Sequence, residues 1–466
     1  MLDLAVVGGT VVTGSSTGAV DIGVKDGRVV LLGAPGTLTM DSAEVLDASS
    51  MVVVPGGIDS HVHFDLSLTD AINAQSSAAG SHAAAFGGTT TFIDFGLQHG
   101  AESPVRAIEN KLAELRTNGP HVDYALHLMV TGHVPLAAID ELPEVVSGGA
   151  PSFKMFTTFS AGSASGDLFS DDGRILGVME KASASGGSVM VHCEDNCIIG
   201  LNVERLYAAG RHSGRNIHLA RPILAEEAAI RRMTLLAERS NCPLYIVHVS
   251  SEAGIAAIAE SKRRRAPVYG EVLHNYLAYT SEMYQQPDYQ RFHNYPPLKY
   301  QSDQDALWAA IADGGLDTVA SDDLTIPRAA KVSGDVVDNV PGGHNGIETR
   351  MDYLYSEGVL KGRIAAQQYV RLTSETPAKL FGIYPRKGTI AIGSDADFAV
   401  IDARTPRTIA LSDLHSDCDY SIWEGWTFGA RVHATVLRGA VLTKSGKWVG
   451  PEHHGRFVEG RTVSEP

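Results

Sequence analysis

Hydrophobic and polar positions follow two different textures along this chain. At both ends, short β-branched runs are broken by glycine turns: LAVVGGTVVTG, VDIGVKDGRVVLLG and EVLDASSMVVVPG within 1–54, then KGTIAIGSDADFAVID and VHATVLRGAVLTKSG within 387–443. Runs of this kind read as strands and turns. Two ends of like texture predict one small β-sandwich domain, 1–54 together with 385–450. Between them, apolar runs of strand length alternate with Ala-rich or amphipathic stretches of helical length. The strand-like runs are VVVPGGID (52–59), TTTFIDF (89–95), VDYALHLMV (122–130), SFKMF (152–156), SVMVHCE (188–194), PLYIVHVS (243–250), PVYGEVLH (267–274) and LDTVASDD (316–323). AAGSHAAAF (78–86), VRAIENKLAELRTN (105–118) and RPILAEEAAIRRMTLLAERS (221–240) are among the intervening helices. Eight β/α units predict an α/β fold, a closed (β/α)8 barrel of the TIM type over 55–384. The alternative is an open doubly wound sheet, but no Gly-rich nucleotide loop follows any of the strands. The polar tail, 451–466, reads as a surface arm able to dock on a neighbouring subunit.

Composition narrows the class. Over 466 residues, 44% are hydrophobic and 20% charged, the balance of an ordinary globular protein. A net charge of −16 argues against nucleic acid or an anionic membrane as partner. No run of about 18 apolar residues is present and the N-terminus lacks a basic signal-peptide start. Cys193, Cys197, Cys242 and Cys418 form no paired framework and no zinc cage, so reduced thiols and a cytoplasmic location are expected.

Candidate chemistry falls at the ends of the strand-like runs, where barrel enzymes carry their functional groups. The first run leads into His61-Val62-His63, and residues two apart in extended chain share a side, as two imidazoles on one metal ion must. The fifth ends at His192 and the sixth at His248, in equivalent places. Either alone reads as a core histidine; the pair at matching positions does not. The eighth ends in Asp322-Asp323, and a carboxylate there suits metal ligation and proton transfer, with a helix cap as the other reading of Asp323. Lys154 lies inside the apolar run SFKMF, where an unpaired ammonium is costly and cannot ligate a cation.

The set resembles the amidohydrolase superfamily, and within it the hydantoinase and dihydropyrimidinase branch. The resemblance rests on His61-x-His63 after PGGID, Lys154 in SFKMF, His192 in VMVHCEDN, His248 in IVHVSS and Asp322 in VASDD. AAAFGGTTTFIDF (83–95), NYPPLKY (294–300) and KGTIAIGSDADFAVID (387–402) extend it over nearly the whole chain. It implies two divalent ions, Zn²⁺ foremost with Mn²⁺, Co²⁺ or Fe²⁺ as alternatives. His61, His63 and Asp322 would hold one ion and His192 and His248 the other, with Lys154, carboxylated by CO₂, between them. It also implies hydrolytic opening of a cyclic amide or ureide by a hydroxide held between the ions, with Asp322 as proton carrier, in a homotetramer or dimer.

Departures from the branch fall where substrate is held. A Tyr expected five residues after the bridging Lys is Phe159, which has no hydroxyl to polarise a carbonyl. A His expected after the catalytic Asp is Asp323, a Ser expected before Pro-Pro-Leu is Tyr295, and an Asn in the loop after strand eight is Gly342. Phe159, Tyr295, Gly342 and Asn345 are the candidate substrate contacts. His274, Asn275, Tyr276, Thr157, Thr158 and Ser160 are candidate replacement donors. Phe64 and Leu66-Ser67-Leu68 are expected to pack their loop rather than wall a pocket. An allantoinase-like or cyclic imide or lactam hydrolase is the second functional reading. A non-enzymatic scaffold paralogue is the third, disfavoured by the complete ligand set.

Overall fold

The computed structural model describes residues 1–38, 42–69, 72–98, 100–132, 134–159 and 168–461. Eight parallel strands form one sheet in sequence order. We number them β1 (Gly57–Asp59), β2 (Thr89–Leu97), β3 (Asp123–Met129), β4 (Ser152–Phe156), β5 (Ser188–His192), β6 (Leu244–Ile246), β7 (Val268–Leu273) and β8 (Thr318–Ala320). All eight anticipated runs supply one strand each. The first is divided: Val52–Pro55 joins the small domain, and the chain turns at Gly56 before β1. A Cβ on Gly56 would lie 2.1 Å from Thr90 Oγ1, so the turn needs glycine.

The barrel closes beyond the ladder. Val62 bridges Asp323, and His63 N donates to Asp323 O at 2.8 Å. Below that seam the fully buried Arg350 spans β1, β2 and β8. It meets Asp59 at 3.2 Å and donates to Val319 O at 2.8 Å and Thr89 Oγ1 at 3.1 Å. The barrel interior is packed by Ile58, Ile93, Ala125, Met190 and Tyr245, with Phe381 and Val458 beneath. Outward positions such as Val189, Val191, Leu244 and Ile246 belong to the layer shared with the helices. The two-residue alternation of a strand therefore sets which side chains can reach the barrel axis.

Both chain ends make the sandwich. One sheet runs in the order Arg28–Gly33, Asp21–Lys25, Leu2–Val7, Ser42–Asp47. In the other, Phe398–Asp402 pairs antiparallel with Val52–Pro55 and with Arg431–Leu437, joining N- and C-terminal segments in one sheet. A buried ion network links sandwich to barrel: Lys387 Nζ meets Asp123 at 2.5 Å, Asp397 at 2.6 Å and Asp395 at 3.1 Å, and Arg438 also pairs with Asp123.

The tail departs from the expected arm. Over its described part it lies on its own barrel: Tyr124 N donates to Arg456 O at 3.0 Å, Val458 N to Tyr124 O at 2.7 Å, and Val458 is fully buried. Its polar composition hid one buried apolar residue and a set of backbone partners at the foot of β3. No described helix is long and apolar enough to cross a membrane.

Candidate metal centre

Strand phase explains how most of the candidate ligands meet. In β4, Phe153 and Met155 pack outward, so Lys154 and Phe156 face the axis. In β5, Val189 and Val191 pack outward, so Met190 and His192 face inward. β6 is different: Val247 belongs to the inner cluster, and simple alternation would send His248 outward with Ile246. A φ of +43° at His248 breaks the alternation, and its ring meets that of His192 at 4.4 Å. Asp322 (+51°) and Phe159 (+65°) are also left-handed. Non-glycine residues so placed store about 1–3 kcal/mol each and concentrate at functional sites.

At the mouth of the barrel, Asp322 Oδ1 lies 3.2 Å from His61 Nε2 and 3.1 Å from His63 Nε2. Three ligand atoms of His61, His63 and Asp322 lie close enough together to hold one ion. Lys154 Nζ is 3.5 Å from His61 Nε2 and 5.1 Å from the centre of the Phe156 ring. Burial draws its pKa down to about 8, against the pull of Asp322 and Glu271, so a neutral, nucleophilic amine is within reach near neutral pH. His192 and His248 complete the set at 2% and 3% exposure. Burial lowers His192 to about 4, outweighing Glu194, and drives His248 well below its ordinary value, so both rings are neutral.

Two buried carboxylates that sequence reasoning missed orient these rings. Glu271, in β7, lies 2.8 Å from His61 Nδ1 through Oε1, which leaves the lone pair of His61 Nε2 facing the site. The same oxygen accepts from His248 N at 3.0 Å, and Oε2 accepts from the Tyr245 hydroxyl at 2.8 Å. Glu194 lies 2.8 Å from His192 Nε2 and binds Arg221 at 2.5 Å, leaving His192 Nδ1 toward the site. His248 Nδ1 is buried without a hydrogen-bond partner among the described residues, a further lone pair for a cation. The signal for Glu271 was a lone acid inside the apolar run VYGEVL; Glu194 stood beside a candidate ligand.

Asp323 turns away from the centre. Its carboxylate accepts from Gln75 Nε2 at 2.9 Å, Thr325 Oγ1 at 2.8 Å, Gly346 N at 2.8 Å and Ile347 N at 3.0 Å. It ties the loop after β8 to the barrel and caps no helix.

A cavity of about 350 Å³ opens over the centre. Phe159, Tyr295 and Gly342 line it, as do Leu66, Ser67 and Leu68, so that part of the loop walls the pocket rather than packing only on itself. Phe64 does pack inward, against Phe92. Asn345 is not among the lining residues: it is buried behind the wall, where its carbonyl accepts from Trp423 Nε1 at 3.3 Å. His274 stacks on Trp423, the Tyr276 hydroxyl donates to Pro296 O at 2.6 Å, and Asn275, Thr157 and Thr158 are buried away from the cavity; none of the five replaces the missing hydroxyl. Ser160 lies outside the described residues. Asn294, not anticipated, lines the cavity.

A parallel barrel with a His, Lys and Asp cluster at its C-terminal mouth defines a metal-centred hydrolase architecture. The chain belongs to the amidohydrolase family, whose model matches residues 52–449. It is 33% identical over 463 residues to D-hydantoinase of Streptomyces coelicolor, covering 98% of this chain and 97% of that one. It is 34% identical over 465 residues to D-phenylhydantoinase of Escherichia coli, covering 98% of each. The fold matches that of dihydropyrimidinase from Brevibacillus agri with a TM-score of 0.94 at 34% identity, over the full length of both chains.

Proposed function

We propose that this protein hydrolyses a cyclic amide or ureide of the hydantoin or dihydropyrimidine type, using two divalent metal ions. The observation that carries the reading is the convergence of His61, His63, Lys154, His192, His248 and Asp322 at the floor of one cavity. The residues fit the ions: imidazoles oriented by Glu271 and Glu194, an orphaned His248 Nδ1, an anionic Asp322 and a buried lysine of lowered pKa. His61, His63 and Asp322 would hold one ion and His192 and His248 the second, with Lys154 as its CO₂ carbamate shared between them. Zn²⁺ suits these donors best, with Mn²⁺, Co²⁺ or Fe²⁺ as alternatives.

When bound, the ions supply Lewis acidity that polarises a ring carbonyl and activates water near neutral pH. The protein's own part is positioning and proton transfer. Burial raises the Asp322 carboxyl, but His61, His63 and Lys154 outweigh it and hold it ionised. Its oxygen takes the proton of the attacking water and returns it to the ring nitrogen as that nitrogen leaves. The apolar wall of Leu66, Leu68, Ile72, Leu97, Met129 and Leu168 excludes water and accepts an apolar ring substituent.

An allantoinase-like or cyclic imide or lactam hydrolase is the second reading, favoured by Phe159, whose ring cannot donate a hydrogen bond to substrate. A hydrolysis screen of hydantoin, dihydrouracil, allantoin, dihydroorotate, succinimide and small lactams separates the two, with Asp322→Asn as the inactive control. Turnover of none by the metal-loaded protein refutes both. A dimer or tetramer in a reducing cytoplasm is the setting we propose. It is supported by exposed Leu201, Tyr207, Leu224 and Leu235 on the helices Asn196–Ala208 and Ile223–Ser240, and by four free cysteines.

A further inference from the structure

Apart from the ligand candidates, a polar side chain in the cavity wall has no hydrogen-bond partner among the described residues. Asn294 follows β7 and is 3% exposed, and neither end of its carboxamide makes a hydrogen bond among the described residues. Its neighbours are held firmly. Lys331 Nζ donates to His293 O and to Pro341 O, both at 2.7 Å, and the Tyr295 hydroxyl donates to Val340 O at 2.6 Å. The carboxamide is therefore placed by its surroundings yet left unsatisfied, which is costly for a buried amide. A fixed, unpaired group lining a substrate-sized cavity is satisfied when a complementary ligand arrives.

The chemistry of the complement is specific. A carboxamide offers one N–H donor and one C=O acceptor side by side. An open-chain amide is trans and presents its N–H and C=O on opposite edges. Closure into a small ring forces the amide cis, which brings both groups onto one edge. We propose that Asn294 is a specificity-determining residue that reads this cis edge at the scissile bond: Nδ2 donates to the carbonyl and Oδ1 accepts from the ring N–H. The inference rests on the cyclic-amide reading above. It gives the site a carbonyl donor where Phe159 has none. Hydrolysis converts the carbonyl to a carboxylate and parts it from the N–H, so the two-point pairing ends with the reaction and favours product release.

The test uses the full-length, metal-loaded protein and a ring it hydrolyses, with Asn294→Ala, the isosteric Asn294→Asp, and the same ring methylated on the scissile amide nitrogen. Both variants should keep wild-type metal content and thermal midpoint while losing about 10- to 100-fold in kcat/KM on the unmethylated ring. Methylation should slow the wild type, and Asn294→Ala should cost no more than about threefold on the methylated ring, because the methyl group removes the N–H and pushes the carboxamide off that edge, so that both contacts are already lost. The inference is overturned if either folded variant keeps kcat/KM within about twofold of wild type, or if the loss is equal on both rings. A wild type that opens no cyclic amide refutes the underlying reading, and the role of Asn294 with it. A wild type that opens one while remaining indifferent to Asn294 refutes this inference alone.

Discussion

Glu271 provides the sharpest test of how the centre is held. Its Oε1 meets His61 Nδ1 and His248 N, while Oε2 meets Tyr245 and, at 3.4 Å, Ser60. In Glu271→Gln the amide oxygen can keep the first pair, and the new NH₂ can face the two hydroxyls, which also bind each other at 3.2 Å. The fold should survive, and the thermal midpoint of the metal-free protein should change little. What is lost is the charge that fixes the His61 tautomer, so metal affinity should fall about 10- to 100-fold, or about 1.4–2.7 kcal/mol. In Glu271→Ala the His61 Nδ1–H and the His248 N–H are both orphaned in a dry interior, at about 1–3 kcal/mol each. That variant should lose about 2–6 kcal/mol of stability as well as metal. Competition against a chromophoric chelator gives the affinity, and thermal unfolding of the metal-free protein gives the stability. Gln binding metal within about twofold of wild type would refute the orienting role. Equal stability losses for Gln and Ala would show that charge, not hydrogen-bond satisfaction, carries the fold there.

Three further outcomes are expected. Lys154→Met should raise the thermal midpoint of the metal-free protein, since it removes a buried amine that only a carbamate would use, while two-ion loading in bicarbonate falls to one ion or none; unchanged metal content refutes the bridging role. Lys387→Met should cost about 3–5 kcal/mol in urea unfolding by leaving Asp123, Asp395 and Asp397 facing one another, with kcat preserved below the transition; a loss under about 1 kcal/mol refutes the network's role. Burial lowers His121 to about 4 from 6.5, against the opposing pull of Glu452. The unfolded chain therefore binds the extra proton between those values, and stability falls as pH falls through that window. Denaturant midpoints from about pH 6.5 to 4 should drop faster for wild type than for His121→Gln, and parallel curves refute the assignment.

Strand period and the location rule for barrels were enough to read eight strands and to single out His61, His63, His192, His248 and the Asp322-Asp323 pair at the ends of apolar runs, whereas the bridging role of Lys154, inside its run, and the choice of Asp322 came only from the family resemblance. Long-range partners were not readable. Glu271 is sequentially 210 residues from His61, and nothing in a linear pattern pairs them. Pattern also misjudged Leu66 and Leu68, since an apolar residue in a loop looks alike whether it packs a core or walls a cavity. Asn345 failed for the opposite reason: its segment is near the site, but the latch from Asp323 to Gly346 and Ile347 turns it behind the wall. The left-handed backbone at His248 is a tertiary choice, because local propensity favours continuing the strand alternation.

The departures from the hydantoinase pattern are coupled in space. Tyr295 meets Phe159 edge-on at 5.5 Å, and the Arg221 guanidinium lies 4.8 Å from the Phe159 ring and 4.3 Å from the Tyr295 ring. A Cβ on Gly342 would lie 2.6 Å from Tyr295 Cδ2, so the large ring at 295 requires glycine at 342. Bulk gained on one loop is matched by bulk removed from the other, and the Phe159 face completes the stack over Arg221. Restoring one position of the branch pattern should therefore do harm. Gly342→Asn alone should drive its side chain into the Tyr295 ring and lower both stability and kcat/KM. Tyr295→Ser alone should open a void beside Phe159. The double variant should recover much of both losses, with an interaction energy of about 0.5–3 kcal/mol measured by a double-mutant cycle in unfolding and in kcat/KM. Additive effects within about 0.5 kcal/mol would mean that the substitutions arose independently and that this wall is not a single packed unit.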